Sequence, residues 1–167
     1  VFLKGKIKEF FFIGGGQLLL ELMIWCKKNN IHSNLITSSR YFTEKIEGTY
    51  FKDHLIKNNL SFIKTKNIDS SSVKNYIKKN SHKIFISIGS PWIFTKDQIR
   101  GIFEDNLFNL HGARLPQNKG GAGFSWQILT ANRFGFCLLH KVDEKLDNGE
   151  IIEFEEFLYP PTARIPI

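Results

Sequence analysis

Three side chains carry the chemistry that this sequence suggests: the carboxamide of Asn109, the imidazole of His111 and the carboxylate of Asp147. A neutral amide donor can hold an oxygen as it gains negative charge, and an imidazole that titrates near neutrality can be charged when a proton is needed. A carboxylate beside that imidazole favours its protonated form and can take a proton from an attacking amine. Asn109 and His111 are two apart, so on an extended segment they leave the same face. Asp147 comes 36 residues after His111, beyond one expected helix and one expected strand, which is room for the chain to return. The set suits acyl transfer to a nucleophile that arrives with a proton to lose. Each residue alone has an ordinary explanation: Asn109 caps a turn, His111 is a satisfied strand-end histidine, Asp147 opens an Asp-Asn-Gly turn. Taken together, the chemical reading is the stronger one.

The elements that must position them read as strands alternating with helices. Residues 7–13 form an apolar run ending in Gly14-Gly15-Gly16, and 18–29 have helical character. Residues 34–37 and 61–63 read as strands, Ser70-Ser71-Ser72 caps a helix to about 79, and 83–88 is a buried strand. A helix at 96–103, a strand at 107–110, a helix at 124–132, a strand at 134–142 and an extended segment at 150–159 complete the series. This alternation predicts an α/β fold: a doubly wound, mostly parallel sheet with helices on both faces, Rossmann-like, whose C-terminal strands can run antiparallel. Ligands of such folds bind beyond the carboxyl ends of the strands, where Gly89, residues 109–111 and the loop before Asp147 are expected to meet. No linker, repeat or low-complexity segment divides the chain, so residues 1–167 are expected to form a single domain.

The glycine run invites comparison with a dinucleotide site. A fingerprint would place a third glycine where Leu19 stands, and Thr37-Ser38-Ser39-Arg40 lacks the acidic residue that grips a ribose. A tight turn touching a substrate phosphate is the better expectation.

Phe108-Asn109-Leu110-His111-Gly112-Ala113-Arg114-Leu115-Pro116, then Gly120-Gly121, then Leu146-Asp147-Asn148-Gly149-Glu150-Ile151 carry four elements in a fixed order: Asn-x-His, Leu-Pro, a glycine and Asp-x-Gly. The pattern resembles the folate-dependent formyltransferases over roughly residues 7 to 158, most strongly from 84 to 151. The resemblance implies an enzyme that takes the formyl group of N10-formyltetrahydrofolate as co-substrate, with Asn109, His111 and Asp147 as catalytic residues. It further implies a folate site made by Trp92, Ile93 and Phe94 in one loop and by Val142, Asp143 and Leu146 in another. A flat pterin ring needs apolar walls of that kind, although Trp92–Phe94 can equally pack a sheet end. Arg114 is open to three uses: a substrate phosphate, a folate carboxylate or a surface salt bridge. The wording Ser90-Pro91-Trp92-Ile93-Phe94, with Gly121-Ala122-Gly123-Phe124-Ser125-Trp126, is most similar to the nucleotide-sugar branch.

The expected acceptor is therefore the amine of a nucleotide-linked 4-amino-deoxy sugar, ahead of methionyl-tRNA and glycinamide ribonucleotide. By resemblance, the tRNA enzymes add a C-terminal β-barrel, and purine-pathway members follow the first glycines with Ser-Asn, which this sequence lacks. From another class, a non-catalytic nucleotide- or RNA-binding module remains open. A homodimer is compatible with the family. Starting at Val1 and ending at Ile167, the chain is expected to lack further C-terminal elements.

Composition narrows the classes. A hydrophobic content of 42% and sixteen phenylalanines fit a folded protein, and no apolar run reaches the roughly eighteen residues of a membrane span. With no signal peptide either, a cytoplasmic protein is expected. Cys26 and Cys137 read as buried reduced thiols, and no Cys/His spacing suggests a metal. The net charge of +7 comes from scattered lysines (Lys4, Lys6, Lys8, Lys27, Lys28, Lys64, Lys66, Lys78, Lys79) rather than a shaped stripe, which disfavours nucleic acid as the partner. It still suits capture of phosphate-bearing ligands.

Overall fold

Short apolar runs without strict alternation are what a parallel sheet covered on both sides demands. The computed structural model describes residues 7, 9–77, 82–121 and 123–160, and the chain divides into two units, 1–107 and 108–167. In the first, β1 (Glu9–Gly14) leads through the glycine turn into α1 (Gln17–Lys28), then β2 (Ser33–Thr37), the short α2 (Ser39–Phe42), a hairpin of β3 (Lys45–Ile46) and β4 (Thr49–Tyr50), and α3 (Phe51–Lys57). It continues with β5 (Ser61–Lys64), α4 (Ser71–Ile77), β6 (Lys83–Ile88) and α5 (Lys96–Gly101). The strands run parallel in the order β5-β2-β1-β6. Four consecutive residues of β1 and of β2 are buried, as covering on both faces requires.

Phenylalanine fills this core. The Phe11 ring lies 5.3 Å from Phe85, Phe85 lies 5.0 Å from Phe103, and Phe103 lies 5.4 Å from Phe94, all centroid to centroid. The last two pairs are edge-on, an arrangement that adds to the area they bury. α5 begins at a capping box, in which Thr95 Oγ1 accepts from the Gln98 backbone N–H and Gln98 Oε1 accepts from that of Thr95.

The second unit holds β7 (Leu107–His111), α6 (Gly123–Leu129), β8 (Phe134–Lys141) and β9 (Ile151–Leu158), with the three strands antiparallel in chain order. The expected architecture, a mostly parallel sheet whose C-terminal strands reverse, is the one observed. The hairpin and helices between 39 and 57 are additions. Glu47 and Gly48 both have positive φ, 48° and 81°, as a primed hairpin turn requires; Glu-Gly is a weaker announcement of that turn than Asn-Gly. The helix expected to reach 79 is seen to Ile77, residues 78 and 79 lying outside the described ones, as do Lys4, Lys6 and Lys8.

One expectation is corrected. Cys26 is buried, but Cys137 is exposed, because strand alternation turns it away from its buried neighbours Phe136 and Leu138 and pairs it with Glu155 of β9. Among the described residues no helix is long and apolar enough to cross a membrane.

Candidate active site

Asn109 and His111 lie on β7, and the antiparallel pairing sets Asn109 opposite His140 and His111 opposite Leu138 of β8. His140 follows Phe136 and Leu138 at every second position on the buried side of β8 and is 2% exposed. Asn109 Nδ2 is 3.1 Å from His140 Nε2, and His140 Nδ1 is 2.9 Å from the Lys141 carbonyl oxygen. Asp147 enters from the β8–β9 loop. Its Oδ1 is 3.6 Å from His140 Nε2, and its Oδ2 is 3.9 Å from His111 Nδ1. Oδ2 also accepts the Gly120 backbone N–H at 2.7 Å. His111 Nε2 donates to the Asn118 carbonyl oxygen at 3.0 Å, which leaves Nδ1 as the nitrogen facing the carboxylate. All three residues singled out in the sequence thus meet within the second unit, their side chains largely shielded from water.

The loop bearing Asp147 is held tightly. Lys141 N–H donates to the Glu150 carbonyl at 2.8 Å. A Cβ on Gly149 would stand 1.8 Å from the Lys141 carbonyl oxygen, so only glycine lets the two backbones approach this closely. The Asp143 carboxylate accepts from Lys145 N–H at 2.8 Å and from Asn148 Nδ2 at 3.1 Å, while Asn148 Oδ1 accepts from Lys119 Nζ at 2.7 Å. Asp147 itself has φ +46°, a left-handed conformation that a non-glycine residue keeps only where its surroundings hold it.

The residues assigned to folate by resemblance fall in both units. Val142 and Asp143 are half-buried and Leu146 is exposed, lying over Gly120. In the first unit, Trp92 is half-buried and its Nε1 donates to the Lys66 carbonyl at 3.3 Å, Ile93 is exposed, and Phe94 is part of the core through Phe103. The Arg114 guanidinium lies over the Phe136 ring at 5.8 Å.

In the glycine turn of the first unit, Gly14 and Gly15 are packed against protein, whereas Gly16 faces open space. A Cβ on Gly14 would meet the Ile88 carbonyl oxygen at 2.0 Å, and one on Gly15 would meet the Tyr41 ring at 2.2 Å. The same unit carries an open cleft of about 610 Å³ lined by Phe42, Lys45, Tyr50, Lys52 and Lys64 among others. Three ammonium groups beside two rings suit a phosphate-bearing ligand.

His140 escaped the sequence reading. Its one signal is a polar residue at a buried position of an otherwise apolar strand, and its importance depends on a strand register that spacing alone does not give. Among the described residues, no group of three or more His, Cys, Asp or Glu side chains is set to hold a metal ion.

No family model matches the chain. It is 27% identical over 110 residues to the bifunctional polymyxin resistance protein ArnA of Wigglesworthia glossinidia brevipalpis, covering 66% of this chain and 17% of that protein. It is 27% identical over 114 residues to the methionyl-tRNA formyltransferase of Mycoplasma genitalium, covering 68% and 36%. The chain therefore spans well under half the length of either relative. Its structure matches that of WlaRD, a sugar 3N-formyltransferase determined in the presence of dTDP and 5-N-formyl-THF, with a TM-score of 0.70 and 20% identity, over 93% of this chain and 53% of that one. It matches phosphoribosylglycinamide formyltransferase from Bacillus halodurans with a TM-score of 0.71 and 17% identity, over 94% and 83%. The fold is the Rossmann-like α/β fold of the formyltransferases. In sequence the chain is similar to formyltransferases, at 27% identity over about two thirds of its length.

Proposed function

We propose that the chain is the catalytic part of an enzyme that moves a formyl group from N10-formyltetrahydrofolate to the primary amine of a nucleotide-linked amino-deoxy sugar, the 4-amino position being the expected one. The observation that carries this reading is one cluster in which the half-buried Asp147 carboxylate faces His111 and His140 while His140 contacts Asn109. Asn109 Nδ2 has one N–H directed to His140 and a second free to donate to the formyl oxygen as it gains charge. Asp147 takes the proton that the amine loses as its nitrogen bonds to the formyl carbon. That proton passes to N10 as the bond between N10 and the formyl carbon breaks, leaving a formamide and tetrahydrofolate. A proton on His111 Nδ1 would place a positive charge facing Asp147 Oδ2. Val142, Asp143 and Leu146 are the second unit's candidates for folate contact, and Trp92 and Ile93 those of the first.

The likeness to WlaRD and the lysine-lined cleft favour a phosphate-bearing sugar acceptor. The likeness to a methionyl-tRNA formyltransferase and to a phosphoribosylglycinamide formyltransferase keeps two other acceptors of the same chemistry in competition. The test mixes the protein with N10-formyltetrahydrofolate and, separately, dTDP-linked 4-amino and 3-amino sugars, glycinamide ribonucleotide and methionyl-tRNA, and follows release of tetrahydrofolate. Release with the nucleotide sugars alone is the expected result. Release only with another amine replaces the acceptor, and no release with any of them removes the enzymatic reading.

A further inference from the structure

His140 takes no direct part in the transfer proposed above, yet it is the most buried member of the cluster and the one that touches both Asn109 and Asp147. Its protonation can be reasoned from its neighbours. The Lys141 carbonyl oxygen has only lone pairs to offer at 2.9 Å, so Nδ1 carries a proton and donates it. Nε2 has two neighbours: the Asp147 carboxylate stands 3.6 Å away, beyond hydrogen-bond distance, whereas Asn109 Nδ2 is at 3.1 Å, and an amide NH₂ has only protons to offer, so Nε2 accepts from it and carries none.

We infer that His140 is a positioning residue: in the neutral, Nδ1-protonated form it holds the Asn109 carboxamide with its NH₂ group toward β8. The inference rests on the assignment of Asn109 as the donor to the formyl oxygen. The opposite tautomer would set a lone pair against the Lys141 carbonyl and an N–H against the Asn109 NH₂. A proton on Nε2 would likewise make the amide rotate to present Oδ1, carrying the free N–H to another place. A neighbouring strand thus fixes which end of a symmetric-looking side chain faces the reacting group, something β7 alone leaves open.

The tautomer is measurable without any turnover. In protein labelled with ¹⁵N-histidine, the long-range ¹H–¹⁵N spectrum separates protonated from bare ring nitrogens, and the His140 signals are those missing from His140→Gln. A protonated Nδ1 with a bare Nε2 is expected; a bare Nδ1 overturns the inference whatever the activity, and this measurement on the parent protein decides the matter even where a variant fails to fold. Kinetics test the consequence. His140→Leu removes the acceptor for Asn109 and is expected to lower kcat about a hundredfold, the scale of a misplaced group, with KM for both substrates nearly unchanged. His140→Gln, whose Oε1 can accept from Asn109, is expected to recover a large part of that loss. A His140→Leu protein with the parent kcat also overturns the inference, whereas the expected tautomer in a protein that transfers no formyl group sinks the proposed function and leaves the hydrogen-bond arrangement confirmed.

Discussion

Asn109 and Asp147 are held by different means, so their substitutions are expected to separate different functions. Asn109 projects from a strand and depends on its partner across the ladder. Asn109→Ala deletes a donor and is expected to lower kcat by about 10²–10³, with folate affinity, read by equilibrium titration, little changed. Asp147 has two tasks, accepting the Gly120 N–H and facing the two imidazoles. Asp147→Asn keeps an acceptor for Gly120 but removes the base; the expected outcome is a protein with the parent melting temperature and no measurable turnover. An active Asp147→Asn would remove the proton-accepting role assigned to this carboxylate. The cysteines offer a separate check. Burial raises the Cys26 thiol above the usual range, a shift that the Ser33 hydrogen bond only partly offsets, whereas Cys137 is exposed. The thiolate is the reactive form, so raising Cys26 depletes it at neutral pH. Alkylation followed by mass spectrometry is therefore expected to mark Cys137 first, with Cys26 reacting only as the pH is raised or the protein unfolds.

At the scale of elements, the loop between β8 and β9 is the most constrained part of the cluster. Gly149→Ala would drive a methyl into the Lys141 carbonyl, and the backbone would have to part to admit it. The expected cost is roughly 1–3 kcal/mol of stability, visible in a denaturant midpoint, with kcat reduced about a hundredfold as Asp147 moves. Thr95→Ala is the contrasting case: it removes a helix cap and is expected to cost about 1 kcal/mol without altering kcat. These elements were legible in the sequence to unequal degrees. The buried runs of β1 and β6 and the helical stretch of α1 could be read because apolar content and glycine punctuation are local properties. The spacing of Asn109 and His111 on one strand face was legible for the same reason. The β3–β4 hairpin was not, since its turn is Glu-Gly and its strands are two residues each. The contact of Gly15 with Tyr41 was equally hidden, for it joins residues that only the fold brings together. His140 belongs with these, because cross-strand register is a tertiary fact.

For the molecule as a whole, charge and exposure bear on what it meets. The net charge of +7 is spread through the sequence, and among the described residues Lys45, Lys52 and Lys64 gather around the first unit's cleft. A small phosphorylated acceptor touching a few ammonium groups is expected to lose affinity gently with salt. A nucleic acid neutralising six or more phosphates would instead lose about 10³–10⁵ in affinity between 50 and 200 mM salt. Measuring KM for the best acceptor across that range separates the two, and a slope of the steep kind would turn the reading toward RNA. A final consequence follows from the bond between the Gly120 amide and Asp147. Because the donor is backbone, the carboxylate keeps that partner only while the stretch from Asn118 to Gly120 holds its place. A guest that displaced this stretch would free Asp147 Oδ2, tying the partners of the carboxylate to occupancy of the site.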